Sequence, residues 1–267
     1  MSKKKLAIIG GLASAFTLSP VALANDDDEE IPFDVAEVFF ELNNTDGDLG
    51  IHALIDGEPW KRLTIENERE KKILNIFVRR KLRQQGLTEI FFESAEPTFD
   101  ELPPEEFFKR FPAGTYEVEG KTLDGEELES ETEVTHAMPA PPVPEVNGTP
   151  MAEQCDEEEP DYDAVEVAGA GEPVIINWDD VTLTHPDLGD PQGEAGVIEI
   201  FNYQVVVETE LDDEFETVFS VVLPPDVTSM TVPAEFLEQN DEFKYEVLAR
   251  EESWNQTAVE SCFLIGD

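Results

Sequence analysis

Period-two alternation of apolar side chains is the feature that most restricts what this chain can become. In residues 243–249, Phe243, Tyr245, Val247 and Ala249 share one face of an extended strand, opposite Lys244, Glu246 and Leu248. In 203–207, Tyr203, Val205 and Val207 point one way and Gln204 and Val206 the other. A strand with one apolar face must bury it against another sheet, so the pattern predicts two-layered sandwiches with cores about 10 Å thick. Further strands are expected at Val35–Leu42, Leu49–Asp56, Trp60–Glu66, Leu87–Glu93 and Gly114–Lys121. Asp56-Gly57 reads as a tight turn, and Leu123-Asp124-Gly125 should turn 115–121 back onto 128–136. The fold class expected is all-β: two β-sandwich domains joined by a Pro-rich acidic linker.

Two stretches interrupt the strands. Pro103–Arg110 reads as one short helix, with proline at its start and acids in its first turn. Residues 67–86 admit two readings. Asn67 could cap a helix closed by Gly86, or Leu74, Ile76 and Val78 could alternate in a strand at 72–78 with a turn near 79–81. The all-strand surroundings favour the strand. Residues 139–163, from the Pro-rich run through an acidic tail, are expected to form a semi-rigid linker between domains at 35–138 and 164–265.

The second of these resembles a fibronectin type III module. Pro173–Asp179, with Trp178, is similar to that fold's second strand, and Asn202–Glu208, with Tyr203, to its third. Ser229–Leu237 resembles the fifth strand and the leucine-bearing corner after it, Phe243–Ala249 the sixth, and Ala258–Leu264 the seventh. The resemblance implies a structural core of Trp178, Tyr203, Leu237, Phe243 and Tyr245. Phe243 stands where the family usually places the corner tyrosine, so the corner hydroxyl's backbone hydrogen bond must be absent or supplied by another group. In the first domain, Phe111–Val118 resembles the approach to a late strand of immunoglobulin-like sandwiches.

Charge and leader set the compartment. The chain carries 62 Asp+Glu against 17 Lys+Arg, a formal net charge of -45. Lys3, Lys4 and Lys5, the apolar stretch Leu6–Leu18 and Ala22-Leu23-Ala24 have the form of a signal peptide over 1–24, followed by an acidic leader at 25–34. Cleavage would take three Lys and no acid from -45, leaving -48. Nucleic acid and anionic membrane would be repelled, and no membrane insertion is expected after cleavage. An exported, periplasmic or extracellular protein follows. The acids run along the whole chain, which favours a salt-adapted surface over dedicated cation sites.

The candidate sites are few. Export and a count of two Cys predict a Cys155–Cys262 disulfide. Asn43, Asn44, Asp46 and Asp48 crowd oxygen ligands into a Gly-containing loop, the donor set calcium takes, although hairpin loops use the same residues. The run Asp156–Asp161 reads as a solvated linker. His52, His136 and His185 show no metal-ligand spacing, and there is no Gly-x-Ser-x-Gly elbow. No catalytic residue and no cofactor other than calcium is expected. Nine of the 17 basic residues lie between Lys61 and Arg83, either as a solvated face or as a dock for an acidic partner such as a second copy. The function expected is non-catalytic binding or scaffolding of a protein or glycan at the cell envelope. The alternatives are a calcium-dependent adhesion or matrix component and an accessory module of a hydrolase. Trp178→Ala should cost roughly 3–5 kcal/mol in a denaturant titration; wild-type stability would remove the second-domain assignment.

Overall fold

The computed structural model describes residues 30–155, 163–188, 196–212 and 215–266. The signal peptide expected at 1–24, residues 25–29 of the expected acidic leader and the acidic run Asp156–Asp161 lie outside the described residues. In chain order the elements are β1 Val35–Asn43, β2 Asp48–Glu66, β3 Lys72–Phe77, α1 Arg80–Gln85, β4 Leu87–Glu93, α2 Pro104–Arg110, β5 Gly114–Thr122 and β6 Glu127–Val134. The second half contains β7 Glu145–Val146, β8 Thr149–Pro150, β9 Glu166–Gly169, β10 Ile175–Asn177, β11 Ile200–Asp212, β12 Phe215–Leu223, β13 Ser229–Thr231, α3 Ala234–Leu237, β14 Glu242–Glu251 and β15 Gln256–Gly266. The protein is mostly β, with its sheets arranged as sandwiches.

The first sandwich is organised by β2. Its first half pairs with β1 on one side and β4 on the other, and its second half pairs with β5 and β3. The tight turn expected at Asp56-Gly57 does not form: the strand runs straight through, changing partners between Asp56 and Trp60. Each half has its own partners on both sides, so a hairpin between them would leave those strands unpaired. Gly57 serves a close approach instead, since a Cβ there would lie 3.0 Å from the ring of Phe33. Residues 67–86 follow the strand reading over most of 72–78, as β3, and depart from it only after that strand. Asn67 accepts the N–H groups of Arg69 and Lys71, shaping the turn into β3, and α1 replaces the turn expected near 79–81 before Gly86, at φ 81°, closes it. Phe107 and Phe108 of α2 meet Phe40 edge-on at 5.4 and 5.7 Å. The buried Tyr116 hydroxyl donates to the carbonyl of Pro112 at 3.0 Å, which is a tyrosine corner.

The second sandwich faces β12-β11-β14-β15 with β13-β10-β7-β8. Trp178, directly after β10, is buried edge-on to Tyr203 at 5.3 Å, and the Tyr203 hydroxyl accepts the Val181 N–H at 2.8 Å. Phe243 stacks on Phe263 with centroids 5.3 Å apart. At its corner, Thr209 Oγ1 donates to the Glu242 carbonyl at 2.6 Å and accepts Asn240 Nδ2 at 2.8 Å, tying the loop without a tyrosine. Part of the expected linker belongs to this sandwich. β7 and β8 form a hairpin at Asn147-Gly148, β7 pairs with β10, and Val146 is buried in the core. The Asn147 amide holds the edge, accepting the Ile175 N–H and donating to Val167 O and Pro173 O. Cys155 and Cys262 are disulfide-bonded with Cα atoms 5.7 Å apart. Closing a loop across 107 residues contributes about 4–5 kcal/mol in the chain-entropy model.

The sandwiches are joined edge to edge. β1 pairs in parallel with β15, Glu41 to Gln256, Leu42 to Thr257 and Asn43 to Ala258, so one sheet runs β12-β11-β14-β15-β1-β2-β4 through both. Asn255, fully buried, locks the joint: its Oδ1 accepts the Phe40 N–H at 2.9 Å and its Nδ2 donates to Thr135 O and Oγ1. Thr257 Oγ1 donates to Pro139 O, and His185 N to Met138 O. Leu188 packs into the first core. Asn255→Ala would orphan the Phe40 N–H and should cost about 1–3 kcal/mol. Calorimetry of the wild type should give one unfolding transition that the variant splits into two; a single unshifted transition would show the joint to be incidental.

Candidate functional site: a carboxylate face at the joint

Alternation fixes which side chains meet on the outer face of the shared sheet. With Phe243, Tyr245 and Val247 turned inward, Lys244, Glu246 and Arg250 point outward, and the β14–β15 register sets Glu246 directly opposite Glu260. Glu208 of β11 lies diagonal to Glu246, β1 adds Glu41 and Asn43, and β2 adds Asp48 and His52. Like charges facing each other across strands destabilise a sheet, and the surroundings answer this with protons and hydrogen bonds.

His52, 3% exposed, sits between two carboxylates, with Nε2 2.7 Å from Glu96 Oε1 and Nδ1 3.6 Å from Glu41 Oε2. Glu96 reaches it by crossing Gly50, where any Cβ would collide with the carboxylate. Glu41 also accepts Gln256 Nε2, and Asn43 Nδ2 donates to Glu260 Oε1 at 2.8 Å. Thr45 Oγ1 accepts the Glu260 N–H, fastening the 43–48 loop across the joint. Burial, reinforced by Glu41, Glu260 and Glu208, pushes Glu246 up to about 8. Burial with Glu96 and Asp46 nearby pushes Asp48 up to about 6. Glu41, Glu260 and Glu208 are raised as well, burial being the largest cause in each. Chemically, this face stores protons near neutral pH.

The structure brings Asn43, Asp46 and Asp48 alongside Glu41, Glu96, Glu246 and Glu260, a grouping across distant strands that no local pattern signals. The calcium donor set expected of the loop is partly engaged already. Asn43 Oδ1 accepts the N–H groups of Thr45 and Asp46, and Asn44 Oδ1 lies 3.1 Å from His185 Nε2. Among the described residues no group of three or more His, Cys, Asp or Glu is arranged to hold a metal ion. His136 stacks on Phe108 at 4.2 Å and bonds the Phe111 carbonyl at 2.9 Å, a packing role. A depression of about 670 Å³ opens beside the joint, lined by Asn44, Phe99, Pro103, Pro141, His185 and Leu188.

The raised carboxylates set the sign of the pH response. At these groups the folded protein binds protons that the unfolded chain has released, so the stability Glu246 contributes is fully present below the unfolded value near 4.5 and is lost as pH rises through about 8. The unfolding midpoint should therefore fall between pH 5.5 and 8.5. Glu246→Gln should flatten that slope and add roughly 1–2 kcal/mol at the alkaline end. An unchanged slope in the variant would mean that Glu246 titrates normally.

No family model matches the chain, and no curated protein matches it. Among solved structures it is similar to the FN1–FN3 domains of chicken CNTN1, at 11% identity and a TM-score of 0.35, over 89% of this chain and 65% of that one. It is similar to a two-domain fibronectin type III segment of chicken tenascin at 9% identity and TM-score 0.27, covering 87% and 98% of the two chains. A third likeness is to a 1.5-MDa bacterial ice-binding adhesin described for host cell surface retention, at 12% identity and TM-score 0.25, over 89% of this chain and 66% of that one. This chain thus spans just under two thirds of the CNTN1 and ice-binding adhesin structures. The structural neighbours are thus fibronectin type III domains and adhesin repeats.

Proposed function

We propose that the protein is an exported, non-catalytic binding module of the cell surface, acting through strand edges on a rigid two-sandwich body. The observation that carries this reading is where large apolar side chains meet water. Phe77, Leu82 and Phe91 are half exposed around β3, α1 and β4, and Leu211, Phe215, Val218 and Val222 are exposed on the β11–β12 hairpin. Exposed apolar patches of this kind mark interaction surfaces, and edge strands recruit partners through unpaired backbone groups. The disulfide suits an oxidising compartment. The joint supports the same role, because a body stiffened by a shared sheet holds its two ends in fixed relation.

The test combines protease accessibility on intact cells with saturation binding of the purified protein to immobilised envelope proteins and glycans. Surface exposure is expected, together with saturable binding that Val218→Lys with Val222→Lys weakens at least about tenfold, roughly 1.4 kcal/mol, at an unchanged unfolding midpoint. Glycan binding alone would favour the hydrolase-accessory role. Loss of binding in chelator at matched ionic strength would favour the calcium-dependent role. A protein confined to the cytoplasm, or one that turns over an ester or glycan, would overturn the proposal.

A further inference from the structure

Nine of the 17 basic residues lie between Lys61 and Arg83, at one end of the shared sheet, and the strand β12 lies at the other. Among the nine basic residues between Lys61 and Arg83, Lys72 pairs with Glu66 and Arg69 with Glu68, while Lys61 Nζ donates to Leu123 O and Arg62 lies over the Phe77 ring. Arg79, Arg80, Lys81 and Arg83 are exposed and make no ion pair among the described residues. They surround the exposed Leu82, and Phe77 and Phe91 stand on the neighbouring strands β3 and β4, each of which pairs, among the described residues, with β2 alone. At the opposite end, β12 pairs, among the described residues, with β11 alone. Its sequence holds neither Lys nor Pro, the usual guards of an edge. Phe215, Val218 and Val222 are more than half exposed there, framed by Glu208, Glu210 and Glu216.

We propose that the protein assembles head to tail with copies of itself, the basic β3–α1–β4 edge of one copy seating on the acidic β12 edge of the next. Charge complementarity selects this pairing over its symmetric rivals. A β12–β12 contact would set Glu210 and Glu216 against their own copies, and an α1–α1 contact would stack Arg79, Arg80, Lys81 and Arg83 against theirs; only the heterologous contact opposes unlike charges over matching apolar side chains. The chain's overall repulsion does not prevent it. At about 0.15 M salt the Debye length is about 8 Å, so the facing edges respond to each other and not to the net charge of the whole molecule. Because the two edges lie at opposite ends of one body, each copy keeps a free edge after binding, and the contact propagates beyond a dimer.

Sedimentation velocity of the full protein tests this. At about 0.15 M NaCl the mean mass should rise with concentration past the dimer, and at about 1 M, where the Debye length is about 3 Å, it should fall back to the monomer. Two variants, each checked for an unchanged unfolding midpoint, remove one edge apiece: Arg79→Glu with Arg80→Glu and Lys81→Glu, and Val218→Lys with Val222→Lys. Each alone should be monomeric. Their mixture should give a 1:1 heterodimer that grows no further, since each component supplies the edge the other has lost. A wild type that stays monomeric overturns the proposal, as do symmetric dimers that mixing does not restore and a basic edge that binds dextran sulfate but not a second copy. The proposal names a partner for the surfaces on which the envelope-binding reading rests. Monomers that still bind envelope material would remove the assembly alone, and assemblies that bind nothing else would remove only the envelope role.

Discussion

Everything distinctive about this molecule follows from the parallel pairing of β1 with β15. Two sandwiches of ordinary size could have been tethered by the proline-rich stretch between them. Instead, each gives up one edge strand to the other, and the buried amide of Asn255 satisfies the Phe40 N–H and the Thr135 carbonyl at the place where the backbones meet. Buried backbone groups without partners are costly, so the amide belongs to the joint as much as the strands do. The disulfide and the β7–β8 hairpin hold the intervening chain against the second sandwich, which leaves little free length for the two bodies to separate.

Joining two sheets also joins their outer faces. Glu41 comes from the first sandwich and Glu246 and Glu260 from the second; beyond burial, Glu41 and Glu260 raise the proton affinity of Glu246, and Glu41 that of Glu260. Neither sandwich alone would assemble this group. The cost is tolerated because the carboxylates are met by His52, Asn43 and Gln256, and because a proton can neutralise Glu246 at ordinary pH. The coupling also makes the joint sensitive to acidity: the repulsion that burdens it eases as protons bind.

What could be read from the sequence was what depends on neighbours along the chain. The alternation in 203–207 and 243–249 was legible because side-chain direction repeats every two residues whatever the strand's partners, and the Leu123-Asp124-Gly125 turn was legible because a hairpin is local. The disulfide needed only a count and a compartment. The misread elements are those decided by partners distant in sequence. Asp56-Gly57 has the composition of a turn, but β4 and β5 hold the two flanks in one strand. Glu145–Val146 sits in a proline-rich acidic stretch, and only the open edge of β10 makes it a strand. The 43–48 loop was noticed for its oxygens, yet its surroundings come from Glu260, more than 200 residues away. The tyrosine corner lies in the first sandwich, at Tyr116, where the resemblance to immunoglobulin-like strands was faintest, while Thr209 and Asn240 tie the second.

The remaining asymmetry is that a chain with so large an excess of acid does not spread its few cations among the carboxylates. Dispersed, they would ease local repulsion almost everywhere, and the crowded face at the joint would have the most use for them; Lys244 and Arg250 are the cations there. Concentrated around α1, they leave that face to be relieved by protons and give the molecule a pole. The short helix has no buried residue of its own, so packing does not require a basic sequence at that position. Folding therefore supplies no reason for four exposed cations beside one exposed leucine, whereas an acidic, partly apolar surface on a partner does. Since the shared sheet fixes that pole at one end and the unguarded strand β12 at the other, the joint that stiffens the body also gives it a direction.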